Sequence, residues 1–267
     1  VADRSASLAG TVVVITGGAG GIGRALADAF AARGADIALL DRDEAALAEV
    51  TAAGGRPVLT VPCDVTDEDD CRRAIGRVTA ELGGIDVLVN NAGITHRSRF
   101  ADTDPAVLRR VVAVNLFGAI HCTAAALPSL LERRGRIVAV SSVAGFAPLV
   151  GRTGYAASKH AMHGFFDSLR AELRDSGVSV TLACPYFTDT ALRTRALDGR
   201  GRAGSEPPAS LAKPLRPEAV ADAIVRAAVA RRRLVVPGAM GQASWWIARF
   251  APRAYEALML RSQAEAR

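Results

Sequence analysis

An apolar run, Thr11–Thr16, passes without interruption into Gly17-Gly18-Ala19-Gly20-Gly21-Ile22-Gly23, and a helical pattern starts at once from Ile22. Few segments restrict a fold as strongly. Glycines let the backbone turn sharply and come close to phosphate groups, whose charge is met by the N-terminus of the following helix. Gly18, Gly20 and Gly23 fit the spacing GxGxxG, and Thr16-Gly17 with Gly21 and Gly23 fits TGxxxGxG. Strand before and helix after, the loop predicts a dinucleotide site with Gly17, Gly20, Gly21, Ile22 and Gly23 around the diphosphate. A tight turn with no ligand is the alternative.

The rest of the chain keeps the same rhythm. Strands are expected at Thr11–Thr16, Asp36–Leu40, Pro57–Pro62, Val87–Val89, Gly135–Val140, Ser179–Ala183 and Leu234–Val236. Helices are expected at Ile22–Arg33, Glu44–Ala53, Asp67–Leu82, Pro105–Glu132, Tyr155–Ser176 and Pro217–Arg231. Short, continuously apolar strands alternating with helices predict an α/β fold. The expected architecture is a doubly wound, Rossmann-type parallel sheet of about seven strands, helices on both faces, in a single domain. Ligands then sit at the carboxyl ends of the strands. Only Thr188–Arg216, rich in Gly, Pro and Arg, breaks the alternation, and so long a loop is expected to serve the site.

Asp41 ends the second strand, eighteen residues after Gly23. A carboxylate there accepts hydrogen bonds from both ribose hydroxyls and repels a 2′-phosphate. Arg42 follows; it either embraces such a phosphate or is a solvated cation. Tyr155 and Lys159 stand four apart at a helix start and so share a face. An ammonium beside a phenol favours the phenolate and predicts a Tyr155 acidic enough for proton transfer. The chain has two lysines, Lys159 and Lys213, against 31 arginines. Ser141-Ser142 closes the strand thirteen residues before Tyr155, where a hydroxyl is placed either to bind a substrate oxygen or to form a turn.

These residues together resemble the classical short-chain dehydrogenases/reductases, from about Leu8 to Pro237. Thr16–Gly23 is similar to the family's cofactor loop, Asp64-Val65 to its adenine contact, and Asn90-Asn91-Ala92-Gly93 to its NNAG motif beside the adenosine ribose. Asn115, Ser142, Tyr155 and Lys159 match its catalytic tetrad, the asparagine carbonyl helping to hold a water near the lysine. Where the family has PGxVxT, this chain has Pro185-Tyr186-Phe187-Thr188-Asp189-Thr190. The resemblance implies that Pro185, Thr188 and Thr190 contact the nicotinamide side and that Tyr186, in place of Gly, reshapes the substrate pocket. It also implies an oxidoreductase moving hydride between NAD (NADP less favoured, given Asp41) and an alcohol or ketone of a small apolar substrate. Tyr155 would be the general acid/base. The expected organisation is a catalytic NAD(P)-binding domain over residues 1–241, with 188–216 as substrate lid, and a helical extension over 242–267. A non-catalytic dinucleotide-binding regulator and a sugar-nucleotide epimerase or dehydratase are the competing readings.

Charge narrows the partners. The net charge is +6 and the pI about 9.7, but the arginines are scattered and the densest cluster, Arg231-Arg232-Arg233, has no interleaved aromatics, so no nucleic-acid partner is expected. Four cysteines without CxxC spacing (Cys63, Cys71, Cys122, Cys184) fit a cytoplasmic, reduced protein. No signal-like start and no apolar run long enough to span a bilayer is read in the sequence. Arg193, Arg195, Arg200 and Arg202 either attract an anionic substrate or are solvated. Ala243–Arg261 carries both tryptophans, with Trp246/Phe250 and Tyr255/Met259 each four apart. It is expected to join subunits in a homodimer or homotetramer, as the family resemblance also implies. The alternatives are cover over its own domain or peripheral membrane contact.

Overall fold

The computed structural model describes residues 7–50, 52–53, 55–190, 192, 194–204 and 214–264. Seven parallel strands form its sheet: β1 Val12–Thr16, β2 Asp36–Asp41, β4 Arg56–Pro62, β5 Val87–Asn90, β6 Arg136–Val140, β7 Ser179–Ala183 and β8 Leu234–Val235. A two-residue strand, β3 (Ala52–Ala53), adds an antiparallel pair at the edge against Arg56 and Pro57. The order is β3-β4-β2-β1-β5-β6-β7-β8. The chain therefore builds outward from β1 through β2 and β4, returns, and builds the other way from β5. The reversal lies between β1 and β5, and it opens a crevice at their carboxyl ends.

Strand side chains alternate between two cores. Val12, Val14, Ala38, Leu40, Leu88 and Ile137 pack against α3 (Glu68–Leu82), α5 (Gly118–Glu132) and α6 (Thr153–Glu172). Val13, Ile15, Ile37, Leu39, Val87 and Val138 pack on the other face against α1 (Gly21–Ala31) and α7 (Pro217–Val229). Burial on both faces explains why the strands are apolar throughout and not alternating.

Two expected helices are corrected. The segment from Glu44 is helical only to Ala48 (α2), and Ala52–Ala53 turns back as β3 with Gly55 at φ +78°. The long helix Pro105–Glu132 is α4 (Pro105–Val112) and α5 joined by a π-helical turn at Ala113–Phe117. This 28-residue run contains an 18-residue window of mean hydropathy 1.6 and so meets the length and composition of a bilayer span, yet Val107, Val111, Cys122, Ala126 and Leu130 are buried in the core. The helices α8 (Ala239–Phe250) and α9 (Pro252–Ala264) close the chain. Of the expected lid, residues 205–213 and 191, together with Arg193 and Lys213, lie outside the described residues.

Candidate active site

The loop after β1 owes its shape to neighbours on both sides of the crevice. Gly17 has φ +64°, a left-handed conformation suited to glycine. Asn91, just past β5, donates its side-chain amide to the carbonyls of Thr16 and Gly17 at 3.0 and 3.1 Å. In return the Thr16 hydroxyl accepts the backbone N–H groups of Asn91 and Ala92, both at 3.0 Å. The two loops are thus stapled across the reversal point. From the other side Asp41 accepts the Ala19 N–H at 3.1 Å and the Asp43 N–H at 3.2 Å. Gly23 lies beneath the loop, where a Cβ would stand 2.2 Å from the Gly17 carbonyl oxygen.

A cavity of about 1330 Å³ runs along these carboxyl ends. Of the expected cofactor residues, Gly17, Gly20, Gly21, Ile22, Asp41, Arg42, Asp64, Val65, Asn91, Ala92, Gly93, Tyr155, Lys159, Pro185, Thr188 and Thr190 all line it. Gly23 and Asn115 do not reach it. Gly23 acts by letting the loop settle on α1, and Asn115 acts from behind. Two positions bear on whether a dinucleotide fits. A Cβ on Gly21 would be 3.0 Å from Thr190 Cγ2, and one on Gly93 3.2 Å from Asn115 Oδ1 and 3.8 Å from Lys159 Nζ. Absent side chains at these points keep open a channel that any larger residue would fill. The N-terminus of α1, with Gly20 as its N-cap, has no side-chain cap, so its N–H groups remain available to a diphosphate. The donor set and the cavity therefore fit a dinucleotide.

At the other end of the cavity stand Ser142, Tyr155 and Lys159. Ser142 lies just beyond β6; its hydroxyl accepts the Ala144 N–H at 3.2 Å and lies beside the Tyr155 phenol. Tyr155 and Lys159 share one face of α6, Nζ lying 5.8 Å from the phenol ring centre. Lys159 donates to the Val140 carbonyl at 2.8 Å and touches Met162 Sδ at 3.4 Å. Asn115 sits in the π turn, its side chain gripping both backbone groups of Ile94 (2.8 and 3.0 Å) and donating to Ser158 at 2.9 Å. Those bonds tie the π turn to the loop after β5 and to α6. Tyr155 is further set by His96, absent from the expected site: its Nε2 accepts the Gly154 N–H at 3.0 Å. Burial, with Arg152 nearby, holds the His96 pKa below its usual value and so keeps that nitrogen a free acceptor.

One expectation about charge is corrected. Burial pushes the Tyr155 phenol above its ordinary pKa, with the neighbouring Ser142 hydroxyl and Arg152 pulling it back only in part. Burial also brings Lys159 down to about 8. The anchored ammonium does not overcome desolvation of the phenol, so the resting site holds a protonated tyrosine.

The remaining wall comes from the C-terminus. Met240, Ala243, Ser244, Ile247, Tyr255, Leu258 and Met259 line the cavity. Tyr186, edge-on to Phe187 at 4.9 Å, packs where α8 comes nearest, a Cβ on Gly241 lying 3.5 Å from its own Cβ. Burial raises the Tyr255 pKa, and Ser244 beside the phenol offsets part of that rise. Of the two four-spaced pairs, Tyr255/Met259 turns inward and Trp246/Phe250 outward. Of the lid arginines, Arg195 lines the cavity within 4.0 Å of Asp43, whereas Arg202 pairs with Asp198.

A model of the short chain dehydrogenase family matches residues 11–200. The chain is 36% identical over 258 residues to a dehydrogenase/reductase SDR family protein 7-like from Anopheles gambiae, covering 93% of this chain and 81% of the relative. It is 41% identical over 206 residues to dehydrogenase/reductase SDR family member 7B from Rattus norvegicus, covering 73% of this chain and 63% of that longer protein. Among solved structures, a short chain dehydrogenase/reductase from Burkholderia phymatum in complex with NAD superposes with a TM-score of 0.80 at 26% identity, covering 93% of this chain and 96% of that one.

Proposed function

The chain belongs to the short-chain dehydrogenase/reductase family, and from that premise we propose that it interconverts an apolar secondary alcohol and its ketone with NAD(H) as the preferred cofactor. The observation that carries this reading is the Ser142–Tyr155 pair set over Lys159 at the apolar end of a cavity whose other end is built for a dinucleotide. When bound, the nicotinamide supplies the hydride chemistry, and the glycine loop with Asp41, Asn91, Lys159 and Thr190 would hold it.

The chain's own groups handle the proton. The Ser142 hydroxyl, already accepting from Ala144, has its proton free for the substrate oxygen. Tyr155, protonated at rest, gives its phenolic proton to that oxygen in reduction and takes it back in oxidation. Lys159, fixed by Val140, supplies positive charge when the phenolate forms. Asn115 and His96 keep the loop after β5 and the start of α6 in register. A phenol with a raised pKa supports carbonyl reduction at neutral pH and leaves alcohol oxidation to grow as the medium becomes alkaline.

For the cofactor, Asp41 faces the cavity with its carboxylate oriented by Ala19 and Asp43, an arrangement that favours ribose hydroxyls over a 2′-phosphate. The test is Tyr155→Phe, assayed by reduced-nicotinamide absorbance on a panel of ketones. Turnover is expected to fall ~10²–10⁴-fold while cofactor affinity is kept. Undiminished turnover would remove Tyr155 from the chemistry.

A further inference from the structure

Five of the nine large apolar side chains left exposed among the described residues lie between positions 240 and 260: Met240, Trp246, Phe250, Leu258 and Leu260. They belong to the outward surface of α8 and α9. Trp246 and Phe250 are 59% and 73% exposed and lie against each other in solvent, ring centres 5.7 Å apart and 14° from parallel. Their neighbour Trp245 does what a domain-covering tryptophan does, packing edge-on against Phe146 at 4.7 Å. The outward pair has no such partner among the described residues.

Charge and continuity say what kind of surface this face meets. Between residues 239 and 261 stand Arg249, Arg253 and Arg261 against Glu256 alone, all exposed. Arg249 is held 5.7 Å from the ring of Trp245, the chain neighbour of Trp246. Aromatic side chains with arginines around them, on helices carrying a net positive charge, are the composition of the zone between lipid headgroups and acyl chains. A second copy docking through the same patch about a two-fold axis would bring together two faces of the same net positive charge. An anionic bilayer neutralises them. Met240 and Leu258 belong both to the exposed face, at 57% and 53% exposure, and to the cavity lining, so the apolar surface continues over the rim into the site.

We propose that the Trp246–Phe250 face of α8–α9 is a docking surface for an anionic phospholipid bilayer, which brings the cavity mouth to the lipid surface. That an apolar substrate then enters from the acyl-chain layer rests on the alcohol/ketone reading above; the docking itself does not.

The test uses the full chain, without turnover, in flotation with vesicles of phosphatidylcholine alone or mixed with phosphatidylglycerol. A second arm measures quenching of tryptophan fluorescence by lipids brominated near the headgroup. Flotation with the anionic vesicles, strong quenching, and at least a tenfold loss of partitioning in Trp246→Glu/Phe250→Glu are expected. Arg249→Glu/Arg253→Glu should abolish the preference for anionic lipid. Circular dichroism of both variants should match the parent, since all four side chains are exposed. A parent chain that does not float, or one whose partitioning the aromatic double variant leaves unchanged, overturns the proposal. So does a concentration-dependent dimer that the same variant dissolves, in a chain that ignores lipid.

Discussion

Lys159 carries a cost that can be measured apart from its role in chemistry. Its ammonium is buried, with one carbonyl and one thioether as neighbours, and its pKa falls from the ordinary 10.5 to about 8. Wherever the ammonium is charged in both folded and unfolded chains, that fall corresponds to roughly 3 kcal/mol withheld from stability. The sign follows from the protons bound. Below about pH 8 both states hold the proton and the folded state bears the whole penalty. Between about 8 and 10.5 the unfolded chain holds the proton and the folded one does not, so stability from this group rises with pH. In Lys159→Met the contribution vanishes at every pH. At neutral pH the variant gains by losing the buried charge and loses by leaving the Val140 carbonyl unpaired, about 1–3 kcal/mol. The two nearly offset. The pH dependence does not: the stability of the variant relative to the parent should fall by about 2–3 kcal/mol on going from neutral to about pH 10. Urea unfolding of both proteins without nicotinamide, followed by circular dichroism across that range, gives the difference directly. A difference that stays flat with pH refutes the reasoning, because the ammonium would then be paying no desolvation cost.

Three further outcomes follow from the geometry. Gly23→Ala places a methyl 2.2 Å from the Gly17 oxygen and 2.9 Å from Gly18 Cα, so the loop must lift from α1. Calorimetric titration should show cofactor affinity down at least tenfold, about 1.4 kcal/mol, and melting should show a loss of roughly 1–3 kcal/mol. Tyr186→Gly opens the cavity beside Val143 and α8, and KM should fall for bulkier ketones in a homologous series while kcat for the smallest is nearly kept. His96 and His163 are both held below 6.5 by burial, His163 at about 4. The unfolded chain binds protons first as pH drops, so stability should decline from about pH 6.5 toward 4, and His163→Gln should flatten part of that decline in pH-resolved melting curves.

The sheet and the meeting of Ser142, Tyr155 and Lys159 in one cavity were legible because both rest on short-range pattern. Apolar strands such as Val12–Thr16 announce burial on two faces, and the four-residue spacing of Tyr155 and Lys159 puts them together on any helix. What escaped depends on partners far away in sequence. Asn115 looks like a polar residue in a continuous helix, and nothing local shows that its amide grips Ile94 and that the helix widens there into a π turn. His96 reads as an isolated histidine until Gly154 is brought to it. The pairs Trp246/Phe250 and Tyr255/Met259 have the same spacing and similar character. Which one turns inward depends on contacts distant in sequence, such as the close approach of Gly241 to Tyr186. The lowered tyrosine pKa was inferred from the neighbouring ammonium alone, and burial of the phenol outweighed it.

The staple between Thr16 and Asn91 divides the molecule into parts of unequal stiffness. Two side chains and four hydrogen bonds lock the loops on either side of the reversal point into one body before any ligand arrives. Binding there spends little on ordering the backbone. The opposite wall, α8 and α9, is appended after the last strand and meets the remainder through contacts such as Trp245 on Phe146 and the close approach of Gly241 to Tyr186 and Val236. Replacing those helices would recut one wall of the cavity and leave the stapled frame as it is. A chain that keeps the staple can therefore have that wall rewritten at its C-terminus alone.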